Sequence, residues 1–548
     1  MPEHSLEGIR SSESQHAEQS IARNRAYLTA FVGRTLRGPI NTPLIVRSFA
    51  DFQRLFGGLW QPSPLSYAVE HFFEQGGRAA VIVRVVNAAA PATVSLRCER
   101  ENLVLEARAP GTREFLRASV DYDHIEAGDT KSFNLVVQRV RAPGSERIEE
   151  QESFRGVCAD PLSDRFVGTV LRNSTLVTVR GQVPMTRPNA TLMPGTNLPV
   201  GYVSSNPDGD DGRPLTDYDI IGSATRHTGL FALTGVEDVA FVYVPPLSRS
   251  TEVGASTLLV AARFCREHHS ILIVDPPVSW ETSTAALQGV KDLSFYNDTA
   301  VMFYPRVSAM DRLRGRVETF ANGGAVAGIL ARVDDPAVMV PVTPEPEALL
   351  RAGVRLSREI PASERWRLAQ VGINVLQTVR STERDRAPLR TLACGASASS
   401  DWSQLALRRF AQFVLSAIER GTRWAVVRPH EAPTQQRVTQ EILVFFAELR
   451  KAGAFNTVVG DDAYLVICDE RINDPHEGPG VLNILVQFAT SQAGGFHSFM
   501  ITHTAQTSTA RPIVVNRLEA SLLVADDLER EVTIRIDQDR DFLRMLAG

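Results

Sequence analysis

Few residues in this chain are placed to do chemistry. The acidic run Asn206-Pro-Asp208-Gly-Asp210-Asp211-Gly212 spaces its oxygens as a calcium loop does. Such loops need glycine at the sixth position for a sharp turn and a bidentate glutamate at the twelfth. Here glycine falls seventh and Asp217 stands where the glutamate belongs, so a solvated turn is the better reading. Asp275 sits in Val274-Asp275-Pro276-Pro277, at the end of an apolar run, where α/β enzymes place catalytic groups. The two prolines behind it favour a rigid structural turn. His268 and His269 are adjacent, so they do not share a helix face. Gly323, Gly324 and Gly328 do not form a G-x-G-x-x-G phosphate cradle, and tight packing explains them better. No P-loop, H-E-x-x-H pair or G-x-S-x-G nucleophile elbow occurs.

The five cysteines, Cys98, Cys158, Cys265, Cys394 and Cys468, include no C-x-x-C pair. That excludes a zinc ribbon and a thioredoxin-like site, and an odd, scattered set suits reduced thiols in a cytosolic chain. Neither a cofactor nor a metal is expected. Net charge is −5, from 58 basic and 63 acidic residues, which gives no strong pull on phosphate and excludes nucleic acid as the expected partner. Only Lys131, Lys291 and Lys451 are lysine; the arginine excess reads first as coding bias, though arginine also makes the better forked ion pairs at interfaces.

The 548 residues, 43% hydrophobic and 22% charged, are too many for one compact domain and too ordinary for collagen, coiled coil or global disorder. The first 26 residues are polar and aperiodic, with isolated Ile9 and Ile21, and read as an arm that lacks the apolar centre of a signal peptide. Tyr27-Leu-Thr-Ala-Phe-Val predicts a strand. Ser48 and Ser63-Pro64 each open a short helix that glycine pairs end, and Ala79 to Val86 is an apolar run fit for a buried parallel strand. Over 88–200 short alternating runs at Thr93, Leu103, Phe133 and Ser174 predict an inserted β-rich module. From 201 the α/β rhythm returns, with strands at Val239, Ser270 and Ala300 and a helix over 256–267, which argues a parallel, layered sheet. Residues 335–362 read as a surface loop. Two amphipathic helices follow, over 404–420 and 434–451, with a strand at Trp424-Ala-Val-Val between them and further strands at Tyr464, Val481 and Phe496.

The C-terminal region carries the informative oddity. Residues 478–510 hold no Asp, Glu, Lys or Arg, yet Asn483, Gln487, Gln492, His497 and His503 rule out a membrane helix. Exposed edge strands are normally guarded by charge or proline. An unguarded strand is therefore either central in a sheet or meant to pair with a partner, and both readings stand. In Phe496-His-Ser-Phe-Met-Ile-Thr, Phe499 and Ile501 share one face and Phe496 and Met500 the other. The protein is expected to fold in the cytoplasm, without membrane insertion.

Several segments, in order and spacing, give a resemblance: Ala30-Phe-Val-Gly-Arg, Gly38-Pro-Ile-Asn-Thr-Pro, Ser48-Phe-Ala-Asp-Phe-Gln-Arg-Leu-Phe-Gly-Gly, Ser66-Tyr-Ala-Val-Glu-His-Phe-Phe, Gly229-Leu-Phe-Ala-Leu, Val244-Pro-Pro, Ile273-Val-Asp-Pro-Pro, Gly324-Ala-Val-Ala-Gly-Ile-Leu-Ala-Arg-Val-Asp, Gly372-Ile-Asn-Val-Leu and Ile418-Glu-Arg-Gly-Thr-Arg-Trp-Ala-Val-Val-Arg-Pro. Over roughly 470 residues the chain resembles the contractile tail sheath proteins of contractile phages, tailocins and extracellular contractile injection systems. The resemblance implies an α/β fold: a subtilisin-like layered core built from N-terminal, middle and C-terminal segments, with an inserted β-rich domain and extended terminal arms. It divides the chain into an N-terminal linker arm (1–28), a first core part (29–87), the insert (88–200), the main α/β domain (201–380), a C-terminal domain with a strand-donating arm (381–510) and an extension (511–548).

The implied role is structural, without catalysis. Copies would form a homo-oligomer, a helical stack of hexameric rings around an inner tube protein. The stack would be built extended and metastable, would meet baseplate and tail-terminator or cap proteins at its ends, and would contract to drive the tube through a target envelope. By the same analogy the helix 434–451 faces the tube through Arg437, Glu441, Glu448 and Lys451, and inter-subunit strands involve Phe496, Phe499, Met500 and Ile501 with Leu6 and Ile9. Eight added residues bring roughly eight backbone bonds at about 1 kcal/mol net each. Ordering them costs about 1–2 kcal/mol per residue, so buried side chains must supply the surplus. The arm from Ser5 to Leu28 spans at most about 80 Å when extended.

The chain departs from the family pattern in three places. The usual N-terminal apolar strand is reduced to Leu6-Glu-Gly-Ile9, Val338-Met-Val-Pro-Val replaces an alanine-proline motif, and 511–548 adds an alternating strand at Glu531 and a short final helix. Deletion of 478–548 is expected to leave a soluble product that forms no tubes. The rival readings are a non-contracting cap or adaptor and a subtilisin-like hydrolase, the latter open to an active-serine probe.

Overall fold

The computed structural model describes residue 21 and residues 28–126, 128–333, 348–380, 386–395, 401–428, 431–455, 463–473, 480–490 and 496–513. The expectations for Leu6, Ile9, Val338 to Val342 and the strand and helix after Val514 lie outside these residues. The chain folds as two compact units that divide between Leu405 and Ala406.

The larger unit is built on a seven-stranded sheet. Its strands are β1 (Leu28–Gly33), β2 (Leu44–Val46), β3 (Ala80–Arg84), β11 (Val239–Tyr243), β12 (Ile271–Val274), β13 (Ala300–Tyr304) and β17 (Ile373–Val375), in the order β17-β13-β12-β11-β1-β3-β2. Every neighbouring pair is parallel except β2 with β3. Parallel strands covered on both faces read as unbroken apolar runs, which is why β1, β3, β12 and β13 are apolar at almost every position. One face, with Ala30, Val32, Val81, Val242 and Leu272, packs on α4 (Asp217–Ile221), α5 (Ala255–Glu267), α6 (Ser283–Leu293) and α8 (Ala362–Ala369). The other, with Phe31, Ile82, Phe241, Ile273 and Phe303, packs on α1 (Phe49–Phe56), α2 (Pro64–Glu74) and α7 (Gly323–Val333).

Helix ends follow capping chemistry. The Ser48 and Ser63 hydroxyls each accept from the backbone N–H three residues on, at 3.1 Å, and Gly57, at φ 90°, ends α1. The Gly-Ala-rich segment from Gly323, which its sequence allows as a turn or a helix, is the helix α7. Its glycines allow it to lie directly on α2: a Cβ at Gly324 would sit 2.3 Å from the Ala68 carbonyl oxygen, and one at Gly328 2.4 Å from that of Phe72.

The β-rich module leaves the sheet after β3. One of its sheets holds β4 (Thr93–Arg97), β5 (Asn102–Ala107) and β9 (Val177–Val179); the other orders β10 (Val203–Ser204), β6 (Leu116–Asp121), β7 (Ser132–Val140) and β8 (Ile148–Cys158). Their alternating inner residues, with the short α3 (Val167–Val170), enclose a core around Val94, Leu105, Phe133, Leu135 and Val167. Because Val203 pairs with Ala118, this module runs past residue 200.

A further, three-stranded sheet was not foreseen: β15 (Arg316–Phe320), β14 (Val307–Asp311) and β16 (Val354–Leu356), in that order. It corrects the described part, 348–362, of the loop expected over 335–362, because β16 pairs with β14 and buries Val354, while 335–347 lie outside the described residues.

The smaller unit joins α9 (Leu405–Thr422) and α10 (Ala432–Lys451) to an antiparallel sheet, β18 (Tyr464–Ile467), β19 (Val481–Phe488), β20 (His497–Thr504) and β21 (Ser508–Ile513), paired in chain order. Phe410, Phe446, Phe455 and Phe488 meet edge to face with centroids 5.5–6.2 Å apart, a favoured ring geometry. Ile21 is buried here, and its side chain lies over Gly421. The strand expected at Trp424 is instead a 3₁₀ turn, Arg423–Val427. The Thr422 hydroxyl donates back to the Ile418 carbonyl at 2.7 Å, so the chain coils on from α9, burying Ala425 and leaving Val427 in solvent.

Candidate functional site

Of the residues expected to serve assembly, the described ones lie on α10 and on β20, with Phe496 directly before it. On α10 the burial of Val438, Ile442, Phe445, Phe446 and Leu449 turns Arg437 and Lys451 outward. Glu441 is not free to meet a partner. Its side chain accepts from Arg437 Nε at 2.9 Å and from Trp424 Nε1 at 3.1 Å, while the Arg437 guanidinium lies 4.5 Å over the indole. This closed triangle fixes the turn after α9 to α10. Glu448 is half-buried and Lys451 exposed. Of the four residues named from sequence, Arg437 and Lys451 present charge to solvent most openly.

The strand expected to serve as an arm, β20, lies inside its sheet. It pairs with β19 from His497 to Thr504 and with β21 from Ser498 to His503. Phe499 and Ile501 are buried, and Met500, on the other face, packs with Ile467, Leu485 and Ile513. Both backbone edges of β20 are therefore occupied, and among the described residues the edges of this sheet are β18 and β21. His503 ties it to α9, its Nε2 meeting the Thr422 hydroxyl at 2.8 Å and its Nδ1 the Ser508 hydroxyl at 2.7 Å. Burial holds this imidazole down to about 4, so it is neutral at pH 7.

The candidate chemical groups are spent on structure. The Asp275 carboxylate accepts from the Tyr243 hydroxyl at 2.6 Å and from the Gly323 N–H at 2.8 Å, anchoring the first turn of α7. Burial pushes this carboxyl up, with Arg306 opposing. In the acidic loop, Asp208 accepts from Thr93 N at 2.9 Å, Asp211 from Thr112 N at 2.8 Å and Asp210 from Gly212 N at 2.6 Å. Asp208 and Asp211 thus clip the two ends of the β-rich module together, while Asp210 closes its own turn. No group of His, Cys, Asp or Glu among the described residues could hold a metal. Cys98, Cys158, Cys265 and Cys468 are buried, and burial pushes the Cys468 thiol up to about 12. No helix among the described residues is long and apolar enough to cross a membrane.

One feature escaped sequence reasoning. At the carboxyl ends of β11 and β13 a cleft of about 510 Å³ opens between α2, the loop after β11 and the strand β15. Its walls hold Arg249, Arg306, Arg314 and Arg316 against the single carboxylate of Glu318. The alternating Arg312-Leu-Arg314-Gly-Arg316 is the only sequence signal for it.

No protein-family model and no curated protein matches the sequence. The solved structures do. The chain has the fold of a sheath tail protein: the one from Listeria innocua superposes with a TM-score of 0.58 at 13% identity, over 90% of this chain and 98% of that one. Also similar are a sheath tail protein from Desulfitobacterium hafniense (TM-score 0.49, 10% identity, 88% and 97% covered) and the sheath of an extracellular contractile injection system, PVC, in its contracted state (TM-score 0.49, 13% identity, 90% and 96% covered).

Proposed function

We propose that this chain is the structural, non-enzymatic subunit of a contractile tail sheath. The observation that carries the reading is the fold shared with the Listeria innocua sheath tail protein along nearly the whole of both chains. Copies stack as hexameric rings around an inner tube, are held extended and metastable, and contract to drive the tube through an envelope, with a baseplate and a cap at the two ends. Assembly takes place in the bacterial cytoplasm. The seven-stranded layered core corresponds in this reading to the subtilisin-like domain of sheaths, and the β-rich module to their variable insert.

The tube side is α10. Arg437 and Lys451 make exposed, salt-screened contacts of about 0–1 kcal/mol each, weak enough to let the tube go. Strand exchange between copies uses the open edges β18 and β21 with the terminal arms, since β20 is already paired on both sides. Electron microscopy of the purified full chain tests the proposal. Cylinders of constant diameter with an axial ring repeat are expected. A monodisperse monomer that stays solitary at high concentration would overturn it.

A further inference from the structure

The strand β15 has a neighbour on one side only among the described residues, because it ends its three-stranded sheet. The arginine-lined cleft runs along that open edge: Arg316, Val317, Glu318, Thr319 and Phe320, the whole of β15, line it. The opposite wall is Tyr67, Ala68 and His71 of α2, with Tyr243 and Arg249 beyond. A strand edge left unpaired among the described residues, beside a wall of rings on which its own Phe320 stacks at 5.0 Å from Tyr67, has the form that accepts an added strand. The volume lies in the range of binding clefts.

Charge defines what would enter. Arg249, Arg314 and Arg316 all converge on Glu318, with Arg314 and Arg316 at 2.9 and 2.8 Å. Arg249 also holds the buried Asp311 at 2.6 Å. Arg306 donates to the Pro276 carbonyl at 3.0 Å and comes only within 3.8 Å of Glu252. Arg249, Arg314 and Arg316 thus share the Glu318 and Asp311 carboxylates, Arg306 stands between Glu252 and the buried Asp275, and Arg316 is 67% exposed at the mouth. The buried Nδ1 of His71 and Nε of Arg249 have no hydrogen-bond partner among the described residues. The arginines guard the edge against an apolar strand and favour one that brings carboxylates.

We infer that this cleft is a docking site for an extended, acidic segment of a partner protein, which adds to the open edge of β15 with its carboxylates on Arg306 and Arg316. The inference goes beyond the sheath reading and does not depend on it.

The test uses the full-length protein and a fluorescent peptide of roughly seven residues alternating glutamate and valine, long enough to cover β15. Binding is followed by polarisation, and a benzophenone on the peptide is mapped by cross-linking. The acidic peptide is expected to bind at least about tenfold tighter than its lysine analogue, and Arg306→Glu with Arg316→Glu to reverse that order. Cross-links should fall on β15 or Tyr67. Methylation of alternate backbone nitrogens along one edge of the peptide should abolish binding, since it removes the N–H groups that join the sheet. Equal binding of the methylated peptide, no preference for acid, or cross-links elsewhere would each overturn the inference. So would protection of this edge by a second copy of the chain, read as self-association lost in the Arg316→Glu protein.

Discussion

The Arg84 guanidinium donates to the carbonyl oxygen of Pro110 at 2.7 Å, from the last residue of the core strand β3 to the loop just beyond the inserted strand β5. Its other terminal nitrogen donates to the Gly38 carbonyl at 2.6 Å. Arg84 is 1% exposed, and burial lowers its pKa to about 10, opposed by Glu114 and Asp211. Arg34 and Arg37 brace the same joint, through the Asp211 and Gly212 carbonyls and through Glu149. Hydrogen bonds to charged groups contribute about 1.5–3 kcal/mol each, and removing one member of a buried charged set costs about 3–5 kcal/mol. Arg84→Ala is therefore expected to lower the urea midpoint substantially and to open the 85–92 connection to protease. An unchanged midpoint would show that the joint is held by packing alone.

Glu70 makes stability depend on pH. Its carboxyl is 5% exposed and burial holds it up at about 7, against an ordinary 4.5, with Arg312 opposing and Glu74 and Asp311 adding repulsion. Between 4.5 and 7 the folded chain keeps a proton that the unfolded chain releases. The contribution is whole below that window and is lost as pH rises through it. The neighbouring His71, held at about 4 by burial, acts the other way: stability falls as pH drops from 6.5 toward 4. Glu70→Gln should remove the rise in stability that Glu70 gives as pH falls from about 7 to about 4.5, leaving the opposite, His71-driven loss below 6.5 to show through more steeply. Parallel urea titrations across pH check this, and an identical slope in the two proteins would exclude Glu70 as its source.

Gly324 tests the contact between α2 and α7. A side chain there meets the Ala68 backbone, which cannot rotate away as a side-chain end would. Gly324→Val is expected to cost about 3 kcal/mol or more. The same change at Gly315, where a Cβ meets nothing within 4 Å, separates the contact from general glycine effects, although its φ of 65° adds backbone strain. A midpoint loss at Gly315 as large as that at Gly324 would assign the effect to backbone conformation.

What could be read from sequence follows from how each element is buried. Strands covered on both faces, such as Ile271–Val274, cannot hide, and serine caps mark α1 and α2 directly. The strand Ile148–Cys158 escaped because its outer face is Glu149, Gln151, Ser153 and Arg155, and few apolar residues are left to show the alternation. The strand Ser508–Ile513 escaped because Pro512 reads as a breaker, although a sheet edge tolerates proline. The unguarded β20 left two readings open, and its interior position selects the first. At the candidate site, periodicity placed Arg437 and Glu441 on the outer side of α10. The Trp424 indole that takes up Glu441 comes from a segment 17 residues away, and no spacing rule reports that contact.

The C-terminal region offers the sharpest test of assembly. Deletion of 478–548 removes β19, β20 and β21, and with them Phe488 from the ring cluster and His503 from Thr422. The soluble product first expected from that deletion is thus replaced by one whose buried aromatic face is open, and aggregation is the expected outcome. Truncation after Ile513 keeps every described strand and isolates the remaining residues. In the sheath proposal this shorter chain folds with an unchanged urea midpoint and fails to form cylinders, because β20 has no free edge with which to stand in as the donated strand. Normal cylinders from it would assign strand exchange to the N-terminal arm, whereas a lowered midpoint would mean that the extension completes its own subunit rather than a neighbour.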